Sequence, residues 1–589
     1  MTSLLENLNN IFYTAFIALG LDPKYAVVKI ADRPDLAQFQ CNAALAIAKK
    51  MQQKPQAIAQ SIIDLLIDSP GIASLTIAGP GFINIILTDD FLLQTSAEML
   101  LHPKICAKNV GLQRTIILDY GGPNVAKAMH VGHLRSAIIG EALKRIYHFL
   151  GFSTVADVHI GDWGTQMGMV ISELEKLYPN WPYFTDIKVE YPQKSPVSVE
   201  QLAQIYPKVS QECRENPARL ELAKTVTLQL QNGHPGYRAL WQHIVDVSIR
   251  DMQQNYARLN VYFDLWNGES TVHSLIAPMV ESLRAKGLAR FDAGATVVDI
   301  TTQAKPIPPL ILYKTDGAVM YGTTDLATLV DRAQQYQAAK IIYVVDKRQF
   351  LHFEQVFHVA RKADIIPFNT ELVFIGYGTM NGPDGRPFKT RDGKVMRLED
   401  LIATAIDKAK VKMQHDNAAI MEADAKLIND GIAEKVAISA IKFADLQNHP
   451  NSDYIFDLDR MSSFEGKTGP YLLYQVVRIK SLLNKYNQIT PTTENYTNIH
   501  LNDFERNLCL QLNHFPEILL LVIQHNSPHF LCEHLYKSAQ MFSSFYASCN
   551  ILAEKNERLR ELRLLLCKLS LRQLEQGLEL LGIETPDRM

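Results

Sequence analysis

Pro123-Asn124-Val125-Ala126-Lys127-Ala128-Met129-His130-Val131-Gly132-His133-Leu134-Arg135 is the stretch that decides the fold. It follows a strand-like apolar run, Thr115-Ile116-Ile117-Leu118-Asp119-Tyr120, and leads into Ile138-Ile139-Gly140-Glu141-Ala142-Leu143, whose spacing is helical. A His-x-x-His pair thus stands where a buried strand turns into a helix, which in an open parallel sheet is where ligands bind. Residues three apart are neighbours on a helix, so both imidazoles project from one face of the first turn. The unpaired N–H groups of that turn favour a phosphate. Gly132 removes a side chain that would block a planar base or a phosphate. The arrangement fits a nucleoside triphosphate.

Blander readings of the pair explain less. Zinc needs three or four ligands, and no nearby Cys pair or H-E-x-x-H spacing supplies them. Ordinary helix-surface histidines leave the flanking Pro-Asn, Lys and Gly unexplained. A bare His-x-Gly-His also occurs in small nucleotidyltransferases, so the tetrapeptide fixes adenylyl chemistry and leaves the substrate open.

With 589 residues the chain has room for three or four domains. Charged residues are 21% and hydrophobic ones 47%, the balance of a soluble globular protein. The longest apolar runs, such as Ile518 to Ile523, are far short of a membrane span. The N-terminus lacks the basic and apolar segments of a signal peptide. Seven scattered cysteines without a C-x-x-C pair imply neither disulfide framework nor zinc ribbon, and a reducing cytoplasm is expected. A net charge of −3 argues against nucleic-acid binding by bulk charge. It leaves room for a local basic groove. Lys555, Arg558, Arg560, Arg563, Lys568 and Arg572 recur along one helical segment, for which a solvated helix face is the plainer reading.

The expected class is α/β. Residues 1–108 read as a small N-terminal α/β unit, with helical patterns at Asn42 to Lys50 and Ala57 to Leu66. Its strands are Ser74 to Ala78 and, after Gly79-Pro80-Gly81, Phe82 to Leu87. Residues 109–400 alternate apolar β-type runs with helices, as a Rossmann-type doubly wound parallel sheet does. Those runs are Val155 to Val158, Pro309 to Tyr313, Lys340 to Val345 and Glu371 to Ile375. An irregular insertion at about 175–300 splits that fold into halves. Residues 401–455 read as a helical connector and 456–589 as an all-α domain.

Together with Ser136, the Pro123-Asn124 to Arg135 stretch resembles the nucleotide-binding signature of class I aminoacyl-tRNA synthetases. Further words along the whole chain are similar to the arginyl members of that class, of bacterial type. They include Gly161-Asp162-Trp163-Gly164-Thr165-Gln166, Asp316-Gly317 before Tyr321-Gly322-Thr323-Thr324-Asp325, and Phe388-Lys389-Thr390-Arg391. Later come Phe464-Glu465-Gly466, Gly469-Pro470-Tyr471 and the terminal Gly582 to Met589.

The resemblance implies a ligase that activates arginine with ATP, as its Mg²⁺ complex, and transfers it to the 3′-terminal ribose of a tRNA. It further implies that activation needs bound tRNA. His130 and His133 would hydrogen-bond the phosphates, with Gly132, Lys389 and His352, the last near the ribose, completing the ATP site. The mobile second-lobe loop corresponds to Arg386-Pro387-Phe388-Lys389-Thr390-Arg391-Asp392-Gly393, where Pro387 replaces the first lysine of the class pattern. Lys127, which would reach the same phosphates from the opposite wall, is a candidate substitute for it, and Lys389 and Arg391 remain loop candidates. Asp119, Asn124, Tyr321, Asp325 and Gln349 would surround the substrate arginine, whose planar fork pairs best with carboxylates and polar acceptors. The last domain would bind the anticodon loop through Tyr471, Tyr474 and Arg478, with Met589 close by. The first would meet the tRNA elbow through Phe82 and Asn84. No resident metal or zinc, no membrane and a monomer are implied. Two rivals remain: a cysteinyl-type ligase, whose zinc cluster is absent from the sequence, and a silent RNA-binding relative, which should have lost the histidines or the pocket acids.

Overall fold

Thr115–Tyr120 is the pivot of a four-stranded parallel sheet, ordered Glu371–Tyr377, Ala338–Asp346, Thr115–Tyr120, Ser153–Asp157. The computed structural model describes residues 2–33, 35–185, 190–300, 306–382, 384–386, 396–416, 423–485 and 499–589. The pivot strand is apolar on both faces, as a strand covered by helices must be; Ile116, Ile117 and Leu118 are all buried. Leu118 lies opposite Ile342 on one side and Ala156 on the other. Numbered along the chain the strands run 2-1-3-4, so the order reverses between Thr115–Tyr120 and Ala338–Asp346. In an open α/β sheet such a reversal, outside the carboxyl ends of the two strands, is where ligands bind.

One run read as a strand of this sheet belongs elsewhere. Leu310–Tyr313 pairs antiparallel with Ala295–Val298, which pairs with Ala289–Asp292 in a separate three-stranded sheet. Ala293 and Gly294, at φ 46° and 85°, form the tight turn that makes the first hairpin. A four-residue apolar run does not distinguish the two settings. Among the described residues the expected insertion holds the helices Val199–Glu215, Pro217–Gln231, Pro235–Arg258 and His273–Ala285.

The chain forms two compact units. One comprises Gly111–Ser462 with Leu581–Ile583, and the other Met1–Val110 with Ser463–Leu580 and Glu584–Met589. In the first, the helix Leu134–Phe149 buries Arg135 against Asp445 of the helix Ala423–Leu446, at 2.9 Å with side chains 2% and 0% exposed. Arg135 also donates to the Ser452 carbonyl (2.8 Å) and stacks over Tyr454. Removing one partner of such a pair strands the other charge, so Asp445→Ala is expected to cost about 3–5 kcal/mol, read as a lower melting temperature.

In the second unit an antiparallel sheet, ordered Val28–Ile30, Phe39–Cys41, Phe82–Leu87, Ile72–Ala78, carries the N-terminal helices. The helices Gly469–Asn484, Asp503–Asn513, Phe515–His525, His529–Ser548 and Glu557–Leu580 belong to the same unit. Arg506 donates to the Asp89 carboxylate and the Leu87 carbonyl. Much of the basic run near the C-terminus works inside this unit and is not a solvated face. Arg563 pairs with Glu505 (2.7 Å) and Glu554 (2.9 Å), while Arg572 donates to the carbonyls of Leu100, His102 and Pro103.

Candidate active site

The loop after Thr115–Tyr120 and the turn after Ala338–Asp346 both lie at the switch point. Ser136 Oγ joins them, accepting from the Gly121 amide (2.7 Å) and donating to the Val344 carbonyl (2.6 Å). The histidine pair stands in the first loop, at the short turn Val131–His133 that opens the helix Leu134–Phe149. The rings of His130 and His133 stack with centroids 4.0 Å apart. His133 Nδ1 accepts from the His130 amide (3.2 Å), and His130 Nδ1 accepts from the Gly132 amide (3.1 Å). A nitrogen that accepts from an amide carries no proton, so each neutral ring must hold its proton on Nε2. Both rings are kept neutral. Burial lowers the pKa of His130, helped by Lys127, and burial with His130 beside it brings His133 down to about 3. Two Nε2–H donors therefore persist at neutral pH. A methyl group on residue 132 would sit 2.8 Å from two atoms of the His130 ring, so the glycine keeps that ring in place.

Lys127 precedes the pair in a strained loop. Ala126 takes φ 62°, unfavourable for a residue with a side chain, and its amide is held by Ser248 Oγ at 3.1 Å. The Lys127 ammonium lies 4.6 Å from the centre of the Tyr206 ring. Lys389 and Arg391 lie outside the described residues. The chain that follows them is anchored at the histidines: Val131 donates to the Met396 carbonyl (3.1 Å) and Leu398 to the Met129 carbonyl (3.0 Å).

Asn124 is fixed by the Gly161 loop. Val125 donates to the Gly161 carbonyl, Gly161 donates to the Pro123 carbonyl, and Gln166 Nε2 reaches Asn124 Oδ1 at 3.3 Å. A Cβ on residue 161 would come within 2.2 Å of Asn124 Oδ1, which leaves only glycine there. Asp162 in the same loop accepts from the amide and hydroxyl of Ser270 (3.0 and 2.6 Å).

Tyr321 and Asp325 stand one turn apart at the start of the helix Tyr321–Gln335. His352 Nε2 lies 2.5 Å from Asp325 Oδ2, so the residue expected near the ribose meets the acid expected at the substrate guanidinium. Gln349 is exposed, at the end of the turn Lys347–Gln349. Asp119 already holds a guanidinium: Arg332 reaches it at 2.6 Å and Asp157 at 2.8 Å, and donates to the Tyr343 hydroxyl at 3.0 Å. Asp119, Asp157 and His159 are the one cluster of metal-ligand type among the described residues, and Arg332 sits among its carboxylates.

Glu269 is the residue that sequence reasoning missed. It begins the turn Glu269–Val272, set in place by its neighbour Ser270 on Asp162. Burial pushes its carboxyl up to about 8, with Asp162 and Asp325 adding to the effect. The Tyr321 phenol is raised by partial burial, by Glu269 and by Tyr206. Glu269 thus stands within electrostatic reach of both Asp325 and Tyr321. A lone glutamate far along the chain from the histidines carries no periodic or motif signal of its own.

In the other unit the helix Gly469–Asn484 carries an aromatic and basic face. Tyr474 is 45% exposed, and Arg478 stacks 4.3 Å over the ring of Tyr546. Tyr471 packs edge-on against Tyr536 at 5.9 Å. Lys480 of this helix holds the C-terminal tail through Asp587 (2.9 Å), two residues before Met589. On the strand Phe82–Leu87, Phe82 is half-buried, whereas Asn84 is buried with its Oδ1 accepting from Gln40 at 2.8 Å.

Three family models match the chain in order along its length. Residues 95–458 match the family model of the class I (R) tRNA synthetase catalytic domain, 472–589 the DALR anticodon binding domain, and 2–87 the arginyl tRNA synthetase N terminal domain. The arginine–tRNA ligase of Alkaliphilus oremlandii is 45% identical, with both chains covered in full. That of Francisella tularensis strain WY96-3418 is 43% identical over 98% of each chain. The crystal structure of the Plasmodium falciparum arginyl-tRNA synthetase superposes with a TM-score of 0.82 at 26% identity, covering both chains completely. The Thermus thermophilus arginyl-tRNA synthetase shares the fold at a TM-score of 0.78 and 22% identity. Among the described residues no helix is long and apolar enough to cross a membrane. With its catalytic, anticodon-binding and N-terminal regions all matched, the chain belongs to the arginyl-tRNA synthetases of class I.

Proposed function

We propose that this chain is an arginine–tRNA ligase: it joins the carboxylate of L-arginine to the α-phosphate of Mg²⁺-bound ATP, releases pyrophosphate, and passes the arginyl group to the 3′-terminal ribose of tRNA. The observation that carries the reading is the pair of neutral imidazoles at the switch point, each with its proton on Nε2. In the displacement at phosphorus, charge builds on the non-bridging oxygens and the leaving pyrophosphate. Fixed N–H donors stabilise that charge without reorganising during the step. Lys127 adds a full positive charge beside them, and Lys389 and Arg391 add theirs from the loop. Asn124 and Gln349 orient the amino acid's α-groups, so that one carboxylate oxygen lies in line with the phosphorus.

Asp325 and Glu269, with Tyr321, receive the substrate's cationic end. Asp119, neutralised by Arg332, shapes the wall behind. Tyr474, Arg478 and Tyr546 offer stacking faces to unpaired anticodon bases, and Phe82 offers another to the tRNA elbow. The first test is charging of a total tRNA pool with each radiolabelled amino acid in turn. Arginine alone should be esterified; charging with a different amino acid contradicts the reading.

Glu269 gives this binding a pH dependence. Its folded pKa of about 8 lies above the ordinary carboxylate value, so it is largely protonated below pH 8 without substrate. A guanidinium favours the ionised form, so arginine binding releases a proton below pH 8 and strengthens as pH rises towards it. KM for arginine is expected to fall by up to about tenfold per unit between pH 6 and 8 and to level off above. Glu269→Gln should flatten that profile and raise the plateau KM.

A further inference from the structure

We propose that Tyr206, carried by the inserted helix Val199–Glu215, is a positioning residue that holds the Lys127 ammonium ready for the triphosphate of ATP. The inference rests on the functional reading above, since Lys127 acts there on the phosphates.

Lys127 is presented from the insertion on two sides. Its preceding residue, Ala126, is kept in a left-handed conformation while Ser248 Oγ, on the helix Pro235–Arg258, accepts the Ala126 amide proton at 3.1 Å. Such a conformation costs about 1–3 kcal/mol and persists only where the surroundings hold it. The side chain is then caught at its other end, with Nζ 4.6 Å from the Tyr206 ring centre. From that position the ammonium lowers the pKa of both His130 and His133, so it stands within electrostatic reach of the two imidazole donors.

The choice of an aromatic partner has a chemical reason. A carboxylate at this place would orient Lys127 more strongly, but it would cancel the charge and repel the incoming phosphates. A ring face attracts the cation through its quadrupole, by about 0.5–2 kcal/mol, and leaves the net charge intact. Phosphate oxygens then draw the ammonium away at little cost. Helix Val199–Glu215 thereby acts on the ATP site through Lys127.

The test is the dissociation constant for Mg²⁺-ATP, measured by calorimetry on the full-length wild type and on Tyr206→Leu, Tyr206→Phe, Lys127→Met and the double variant Lys127→Met/Tyr206→Leu. Tyr206→Met provides a second ring-free side chain if the leucine variant melts early. Removing the ring is expected to weaken ATP about three- to tenfold, with KM for arginine changed less than twofold. Tyr206→Phe keeps the ring and should bind as the wild type does. The double variant should bind no more weakly than Lys127→Met alone, because the ring acts only through that lysine. Equal losses in Tyr206→Leu and Tyr206→Phe would overturn the proposal, as would a ring-removal effect that persists in full once Lys127 is gone. Charging of tRNA by the wild type, read separately, tests the functional assignment, so the two failures are distinct.

Discussion

Replacing His130 or His133 by alanine is expected to lower the rate of ATP–pyrophosphate exchange by about 10²–10³-fold, the usual effect of removing one donor aimed at developing charge. The loss should fall on kcat, with KM for arginine nearly unchanged. The two rings are stacked 4.0 Å apart, and His133 accepts the amide of His130, so they act as one unit. The double variant should therefore lose less than the product of the single effects. A pH profile separates this account from one in which the histidines act as charged groups. The pKa of His130 is lowered and that of His133 falls to about 3, so the His133 ring keeps its neutral donor form as pH falls from 8 to 6. Exchange at saturating arginine should be flat over that range as far as His133 governs it. A rate that rises as the imidazoles protonate would contradict it.

Asp325→Ala is expected to produce the second large effect, a rise of about a hundredfold or more in KM for arginine. Truncating one partner of a desolvated charge pair costs about 2–5 kcal/mol, mostly from the charge left unpaired. KM for ATP should change little, since the proposed reading places the nucleotide on the histidine turn and Lys127. Asp325 is also the partner of His352 at 2.5 Å. His352→Ala should thus reproduce a smaller part of the arginine effect by freeing the carboxylate from its fixed orientation. Unaltered arginine KM in Asp325→Ala would remove the residue from the pocket.

Much of this site is readable from the chain because its parts are local. The change from an apolar β run to helical spacing around His130, and the Gly between the histidines, fix a strand-turn-helix ligand site without any long-range information. Tyr321 and Asp325 are likewise one helical turn apart, so their shared face follows from spacing. What the sequence does not carry is the tertiary partner. Tyr206 and Glu269 reach the site from the insertion and its far border, and neither spacing nor composition marks them. His352 reads as a residue near the ribose, and its contact with Asp325 is a tertiary pairing that the sequence does not show. Arg560, Arg563 and Arg572 look like a solvated basic face, because a periodic run of cations does not say which carbonyls and carboxylates will meet it. The pairing of Arg506 with Asp89 brings together segments more than four hundred residues apart, which is why the first and last parts of the chain read as separate domains and fold within one compact unit.

The most direct measurement is ATP–pyrophosphate exchange with each amino acid, run with and without total tRNA. The account predicts exchange with arginine alone, and only when tRNA is present. Exchange driven by another amino acid, or no exchange under any condition while tRNA still binds tightly, would contradict it.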